Sequence, residues 1–325
     1  MASPATTSAR SPSGARAFFA RLASGDEIAR LITLAFACGI LLLTVALVWQ
    51  LWVHSAAARH KFGLGFLTGT DWDPVSGQFG ALPFIYGTVI TSAVGLLIAV
   101  PLGVGAAIFL AELAQPRLSS AFTFFIELLA AVPSVIYGVF AIFTLVPLMR
   151  DYVEPFLKRT LGFLPIFSGY ILGVGYLTAG VILSVMTLPF IISISREALL
   201  EVPVEQREAA LALGATRWES TWHVVVPWAR LGIFGSIFLA LARALGETMA
   251  VTMVIGNDPT IHASLFAPGY AIAAILANEF TEATGDLYQG SLIALGLVLF
   301  LLTIVINALA RLLIVATTRR GSAHP

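Results

Sequence analysis

Charge is what this chain has least of. Only 11% of its 325 residues are Asp, Glu, Lys or Arg, where a soluble domain carries roughly 25%, so a water-soluble globule is excluded. Acids and bases cancel to a net charge of zero, which removes any bulk attraction to nucleic acid. The two lysines, Lys61 and Lys158, do not follow a Gly-x-x-x-x-Gly-Lys cradle, so the sequence has no loop of that kind for holding nucleotide phosphates. A single cysteine, Cys38, excludes an internal disulfide and leaves the redox compartment open. The five histidines, His54, His60, His223, His262 and His324, fall at no metal-ligand spacing, and no Ser-His-Asp arrangement is recognisable. No metal or other cofactor is expected.

What is abundant is apolar: 58% of the residues, with a mean hydropathy of +0.92. Runs of about 20 apolar residues predict six membrane spans, near 31–53, 83–110, 121–149, 168–195, 231–255 and 289–315. An even number puts both termini on one side. With the N-terminus inside, eleven basic residues (Arg10, Arg16, Arg21, Arg30, Arg117, Arg196, Arg207, Arg217, Arg311, Arg319, Arg320) are cytoplasmic and five (Arg59, Lys61, Arg150, Lys158, Arg159) external. That bias predicts cytoplasmic termini for a multi-pass membrane protein.

Residues 1–30, rich in Ala, Ser, Pro and Arg, show no helical periodicity and read as a disordered cytoplasmic tail. The six-span domain then occupies 31–320. A signal peptide is disfavoured, because the first apolar run is long enough to span. The apolar segment at 270–280 is too short to cross and is expected to be an external helix packed on the bundle. Pro101, Pro133, Pro147 and Pro189 fall inside predicted spans and should bend them, in most membrane proteins as static kinks. Small residues after Pro101 and along the fifth span suggest close helix packing. No internal repeat is visible, which weakens an inverted-repeat secondary transporter.

Between the fourth and fifth spans lies a polar segment, 196–227, in which Glu208-Ala209-Ala210 is followed after three residues by Gly214 and after nine more by Val-x-Val-Pro, ending at Pro227. A membrane protein driven by a soluble ATPase needs a short helix that lies in a groove on that partner. Ala209 and Ala210 would let the backbones approach, and Glu208 would pair with a basic group or cap a neighbouring helix. Gly214 would supply the positive φ for a sharp exit, and Trp218 and Trp222 would mark the membrane interface. The plainer alternative is an ordinary amphipathic loop; five matched positions at fixed offsets in a cytoplasmic slot weigh against it.

Three charges fall deep inside predicted membrane segments, away from their ends: Glu127, Arg243 and Glu247. Each costs roughly 2.5–3.5 kcal/mol at the centre of a helix in lipid, so such groups are paired or face a water-filled path. In a continuous helix over 231–255, Arg243 and Glu247 share one face and are close enough to pair. One reading is an ion pair that sets helix rotation; the other is a guanidinium that takes a tetrahedral oxyanion when the pair opens. Two acids against one base leave a net charge of −1, so an anion path requires a protonated Glu or positive charge from another subunit. Intramembrane acid–base catalysis is the alternative of a different class.

The 208–227 loop closely resembles the one by which permeases of binding-protein-dependent ABC importers hold their ATPase. Three further strings, Gly-Thr-x-x-Thr-Ser at 87–92, Pro-Ser-Val-x-Tyr-Gly at 133–138 and Arg-Ala-Leu-Gly-Glu-Thr at 243–248, resemble more narrowly the subunit-C permeases of phosphate-specific ABC importers. Together the similar segments cover most of 79–257. Val224 and Val226 depart from the commoner Ile and Leu before Pro227. The resemblance implies an all-α, six-helix membrane fold of the type I importer (MetI-like) kind and a non-enzymatic, channel-forming permease that moves inorganic phosphate inward. It also implies a sister permease as heterodimer partner, a dimeric ATPase on the cytoplasmic side that supplies ATP hydrolysis, and a phosphate-binding protein outside. By motif the family's functional Arg and Glu fall on Arg243 and Glu247, and Glu127 joins them on the expected substrate pathway as the third intramembrane charge. Glu208, Ala209, Ala210, Gly214 and Pro227 would couple to the ATPase, with Pro227 passing motion into the fifth span. A sister permease subunit, or a permease for sulfate, molybdate or phosphonate, would share the loop.

Overall fold

A computed structural model describes residues 26–321. The expected tail lies outside the described residues for 1–25, while 26–30 already belong to the first helix. The chain divides after Val53. The described part of the first unit is helix α1 (Asp26–His54) up to Val53, whose apolar side chains, such as Leu41, Leu42 and Leu43, are exposed, as contact with lipid requires.

The second unit opens with two short helices, α2 (Ala56–Phe62) and α3 (Gly65–Thr68). A minimal hairpin follows, β1 (Trp72–Asp73) paired antiparallel with β2 (Gln78–Phe79). Then come α4 (Leu82–Ile108), continued by a π-helical turn over Phe109–Leu113, and α5 (Pro116–Ala130). Next are α6 (Ser134–Leu161), α7 (Tyr176–Leu200), α8 (Val204–Ala212) and α9 (Arg217–Leu245). The chain ends in α10 (Met249–Thr252), α11 (Ile272–Glu279) and the 36-residue α12 (Asp286–Gly321). Among the described residues six helices are long and apolar enough to cross a membrane: Ile28–His54, Leu82–Leu113, Ser134–Leu161, Tyr176–Leu200, Arg217–Leu245 and Asp286–Leu312.

The number of spans agrees with the sequence reading; three boundaries do not. The third span begins at Ser134 and not near 121, because Pro133 adopts an extended conformation (ψ 141°) and severs the helix. The segment before it becomes α5, at 15 residues too short to cross. The fourth span starts at Tyr176 and not near 168, after a loop in which Gly169 and Gly173 take positive φ. The fifth runs over Arg217–Leu245 and not 231–255. Its first half carries Arg217, Glu219, His223 and Arg230, which lower the local hydropathy and hide a helix that is nonetheless continuous.

Prolines act in two ways. The π-helical turns Ala141–Leu145, Met149–Val153 and Thr221–Val225 each end two residues before a proline: Pro147, Pro155 and Pro227. Proline has no N–H and its ring presses on the carbonyl four residues back; widening the preceding turn to i→i+5 bonds relieves both problems without breaking the helix. Pro101 and Pro189 lie inside α4 and α7, which continue through them.

The core is built on α4 against α7. A Cβ added to Gly180 would lie 2.4 Å from Val94 Cγ1, and one added to Gly95 would lie 3.2 Å from the Gly180 carbonyl oxygen. Farther along, a Cβ on Gly103 would come within 2.7 Å of Ile191 Cγ2. Helix α9 packs on α7, where the buried Ser195 and Ser236 hydroxyls bond at 2.8 Å and Gly232 accommodates the Ala198 methyl. At the other end α11 is packed on the bundle as expected. The Ile272 N–H donates to Thr88 Oγ1 (2.9 Å), and Glu279 accepts from Trp72 Nε1 (2.9 Å) and Tyr288 Oη (2.7 Å).

Gly180→Ala is expected to destabilise the protein by about 1–3 kcal/mol through overpacking. Gly105→Ala, whose new methyl meets nothing within 4 Å, should be neutral or mildly stabilising. Thermal unfolding in detergent compares the two, and equal midpoints would remove the close backbone approach as the basis of the core.

Candidate functional site

The segment between α7 and α9 folds into a short helix held out on two turns. Pro203 ends the turn after α7 and starts α8 in an extended conformation (φ −55°, ψ 138°). At its far end Gly214 has φ 88° with open space around it, the left-handed geometry that favours glycine. Thr216 then starts α9 with a capping box: its Oγ1 accepts from the Glu219 N–H at 3.2 Å, and Glu219 Oε2 accepts from the Thr216 N–H at 2.8 Å. Trp218 and Trp222 follow as an exposed edge-to-face pair with centroids 5.6 Å apart. Glu208 and Ala209 are exposed, and the Glu208 side chain makes no hydrogen bond or ion pair among the described residues. Nearby, Leu213 is 90% exposed.

Arg207, next to Glu208, turns the other way. It forms an ion pair with Glu112 (Nη2–Oε1 2.9 Å) and donates to the carbonyls of Leu199 (2.7 Å) and Val202. It thereby adds a charged donor to carbonyls at and just past the end of α7, where helical partners run out.

The intramembrane charges are arranged differently from the sequence reading. Helix α9 stops at Leu245, Gly246–Thr248 are non-helical, and the chain restarts as α10. Arg243 and Glu247 therefore do not share a helix face, and no ion pair joins them among the described residues. Glu247 Oε1 instead accepts, at 3.4 Å, from the Ala250 N–H in the first turn of α10. Arg243 lies over the Phe190 ring of α7, 4.5 Å from its centroid, a cation–π contact. Its Nε is buried and no described group accepts the hydrogen.

Glu127 sits elsewhere. It is exposed on α5 and lines a cleft of ≈ 490 Å³ with Ser119, Thr123 and Arg196. Arg196 pairs with Glu197 at 2.8 Å. Pro227 is exposed within the continuous α9, just past its π-helical turn.

Residues 99–318 match the model of the family described as "binding-protein-dependent transport system inner membrane component", a stretch longer than half of the chain. The chain belongs to that family. It is an integral inner-membrane transport component with an all-α fold. Along nearly its whole length it is similar to proteins named phosphate transport system permease protein PstC. That of Mesorhizobium japonicum is 47% identical over 93% of this chain and 94% of the relative. That of Xylella fastidiosa is 45% identical over 89% and 90%, and that of Haemophilus influenzae 44% over 89% and 93%. Among solved structures, a chain of the inward-facing MetNI methionine ABC transporter aligns over 71% of this chain and 93% of its own, with a TM-score of 0.45 at 19% identity.

Within this family member, sequence reasoning missed Arg207, Glu112 and Arg196 as structured groups. Arg207 and Arg196 entered only as positive-inside charges. The sole local signal was that Arg207 directly precedes Glu208, and nothing in the sequence connects it to Glu112, 95 residues away. The capping box gives a direct test of the loop's geometry. Thr216→Ala should cost about 1 kcal/mol at the start of α9. Amide hydrogen exchange over 217–220 should then rise by roughly fivefold, and unchanged exchange would show that the cap does not hold this end.

Proposed function

We propose that this chain is the membrane-spanning permease subunit of an ATP-driven ABC importer that passes inorganic phosphate into the cell. The substrate rests on one observation: its similarity over about nine-tenths of its length to permease proteins named for phosphate transport. A sister permease completes the translocation path, a dimeric ATPase lies on the cytoplasmic side, and an extracytoplasmic phosphate-binding protein delivers the substrate. The chain itself carries out no hydrolysis. Both termini and the 196–227 segment face the cytoplasm, in keeping with the distribution of arginines, and 31–320 form the permease domain.

Helix α8 is the ATPase dock. Its exposed Glu208, Ala209 and neighbouring Leu213 have no cover among the described residues, and small residues beside an acid suit a helix-in-groove contact. Gly214→Val places a β-branched side chain at φ 88°, where it is strained. The variant is expected to reach the membrane yet release the ATPase in a detergent pull-down; full retention of the complex would count against α8 as the dock.

Arg243 is the anion-binding group of the path, with Glu247 in the helix break that follows. Neither carboxylate pairs with this guanidinium, since Glu247 caps α10 and Glu127 lines a separate cleft with Arg196. The repulsion expected from a tight cluster of net charge −1 is thereby relieved. Positive charge from the sister permease would add to Arg243. Arg243→Gln should lower ATP-dependent phosphate uptake into proteoliposomes by at least about tenfold, as for loss of a charge-assisted contact, while the partners still co-purify. Unchanged uptake would remove Arg243 from the pathway, and competition by sulfate or molybdate as strong as by phosphate would overturn the substrate.

A further inference from the structure

We infer that the Arg207–Glu112 ion pair is the strut by which force applied to α8 enters the membrane, and that it enters through α4 and α7. This rests on the reading of α8 as the ATPase dock and changes the expected route, which ran through Pro227 into the fifth span.

Arg207 and Glu208 are adjacent on α8 and face opposite surroundings. Glu208 is exposed, while Arg207 is held in the protein by Glu112 and the carbonyls of Leu199 and Val202. The side chains of Arg207 and Glu112 are only 20% and 12% exposed, so solvent and salt screen this pair far less than a surface pair. Its anchors are two different spans. Glu112 lies in the π-helical turn that ends the α4 span, and Leu199 in the last turn of α7. Those two helices are locked by the contacts of Gly95, Gly103 and Gly180. A displacement of α8 pulls on both at once.

Helix α8 also packs alongside the first turns of α9, but that contact carries no polar tie. Beyond the chain itself, no side-chain hydrogen bond or ion pair joins α8 to α9 among the described residues. The connection runs through Gly214, which has nothing around it. A cleft of ≈ 190 Å³, lined by Glu112, Arg207, Leu211, Arg217, Ser220 and Thr221, opens between α8 and the start of α9. The ties of Arg207, all directed to Glu112 and to the carbonyls at the end of α7, make α8 a lever fixed to the α4–α7 unit. Arg207 and Glu112 are thus positioning residues for coupling.

The test uses the whole complex in proteoliposomes and measures phosphate transported per ATP hydrolysed, together with ATPase retained on the permease. Glu112→Gln removes one charge at nearly constant shape and leaves the carbonyl bonds of Arg207 in place, so it carries the test even if Arg207→Ala fails to assemble. Glu112→Gln is expected to keep its ATPase and continue hydrolysis, while phosphate moved per ATP falls about tenfold, with partial recovery in Glu112→Asp. A loss of stability alone would lower the amount of complex without moving this ratio. An unchanged ratio in Glu112→Gln, or an equal fall in Arg217→Gln from the same cleft, would overturn the strut. A wild-type complex that binds no ATPase would instead sink the docking reading on which it rests.

Discussion

The rest of the structure depends on the near-contact of two backbones. Helices α4 and α7 meet through Gly95 and Gly180, so closely that a methyl on Gly180 would collide with Val94. Lipid tails are as apolar as leucine, so spans gain little from merely hiding hydrophobic surface from one another; what holds them is dispersion between surfaces that fit, which small residues permit. On this pair the other elements are assembled. Helix α9 adds to α7 through Ser195, Ser236 and Gly232, and α11 adds to α4 through Thr88. The ion pair of Arg207 ties the polar segment 196–227 to the same two helices.

Around that rigid pair the chain places its irregularities where proline and glycine dictate. Three prolines are absorbed by wide turns, so their spans stay continuous, whereas Pro133 and Gly246 end helices. The Pro133 break brings Gly138, in the first turns of α6, against Ala250 and Met253 after the Gly246 break, with no room for a side chain. Two interrupted spans are thus packed at their interruptions. Non-helical backbone at membrane depth survives only where protein or a cavity satisfies it, and this junction meets that condition in part through Glu247 on the Ala250 amide.

Much of this was legible in the sequence. Hydropathy reveals six spans because lipid demands about 20 apolar residues for each, and the positive φ of Gly214 follows from a short helix that must turn back. The errors share a cause. Apolar runs do not distinguish a helix that crosses from one that stops within the same composition, so α5 was merged with the third span. Likewise the spacing of Arg243 and Glu247 implies a pair only if the helix runs through Gly246. Conversely, the charged first half of α9 hid a real helix, since π-helical widening before Pro227 lets it continue. The bond of Arg207 to Glu112 was beyond reach, because it depends on tertiary packing that brings the ends of two spans together.

The end of α9 has one more consequence, and it lies in the direction of its peptide bonds. Aligned amides leave roughly half a negative charge at a helix C-terminus, and Arg243 occupies the last turn there. The guanidinium therefore meets a permanent counter-field anchored in the backbone, which neither titrates nor swings away. If Arg243 is the anion-binding group proposed above, an incoming oxyanion would add its attraction to this field with no carboxylate to expel, and on its departure the cation would still be partly neutralised.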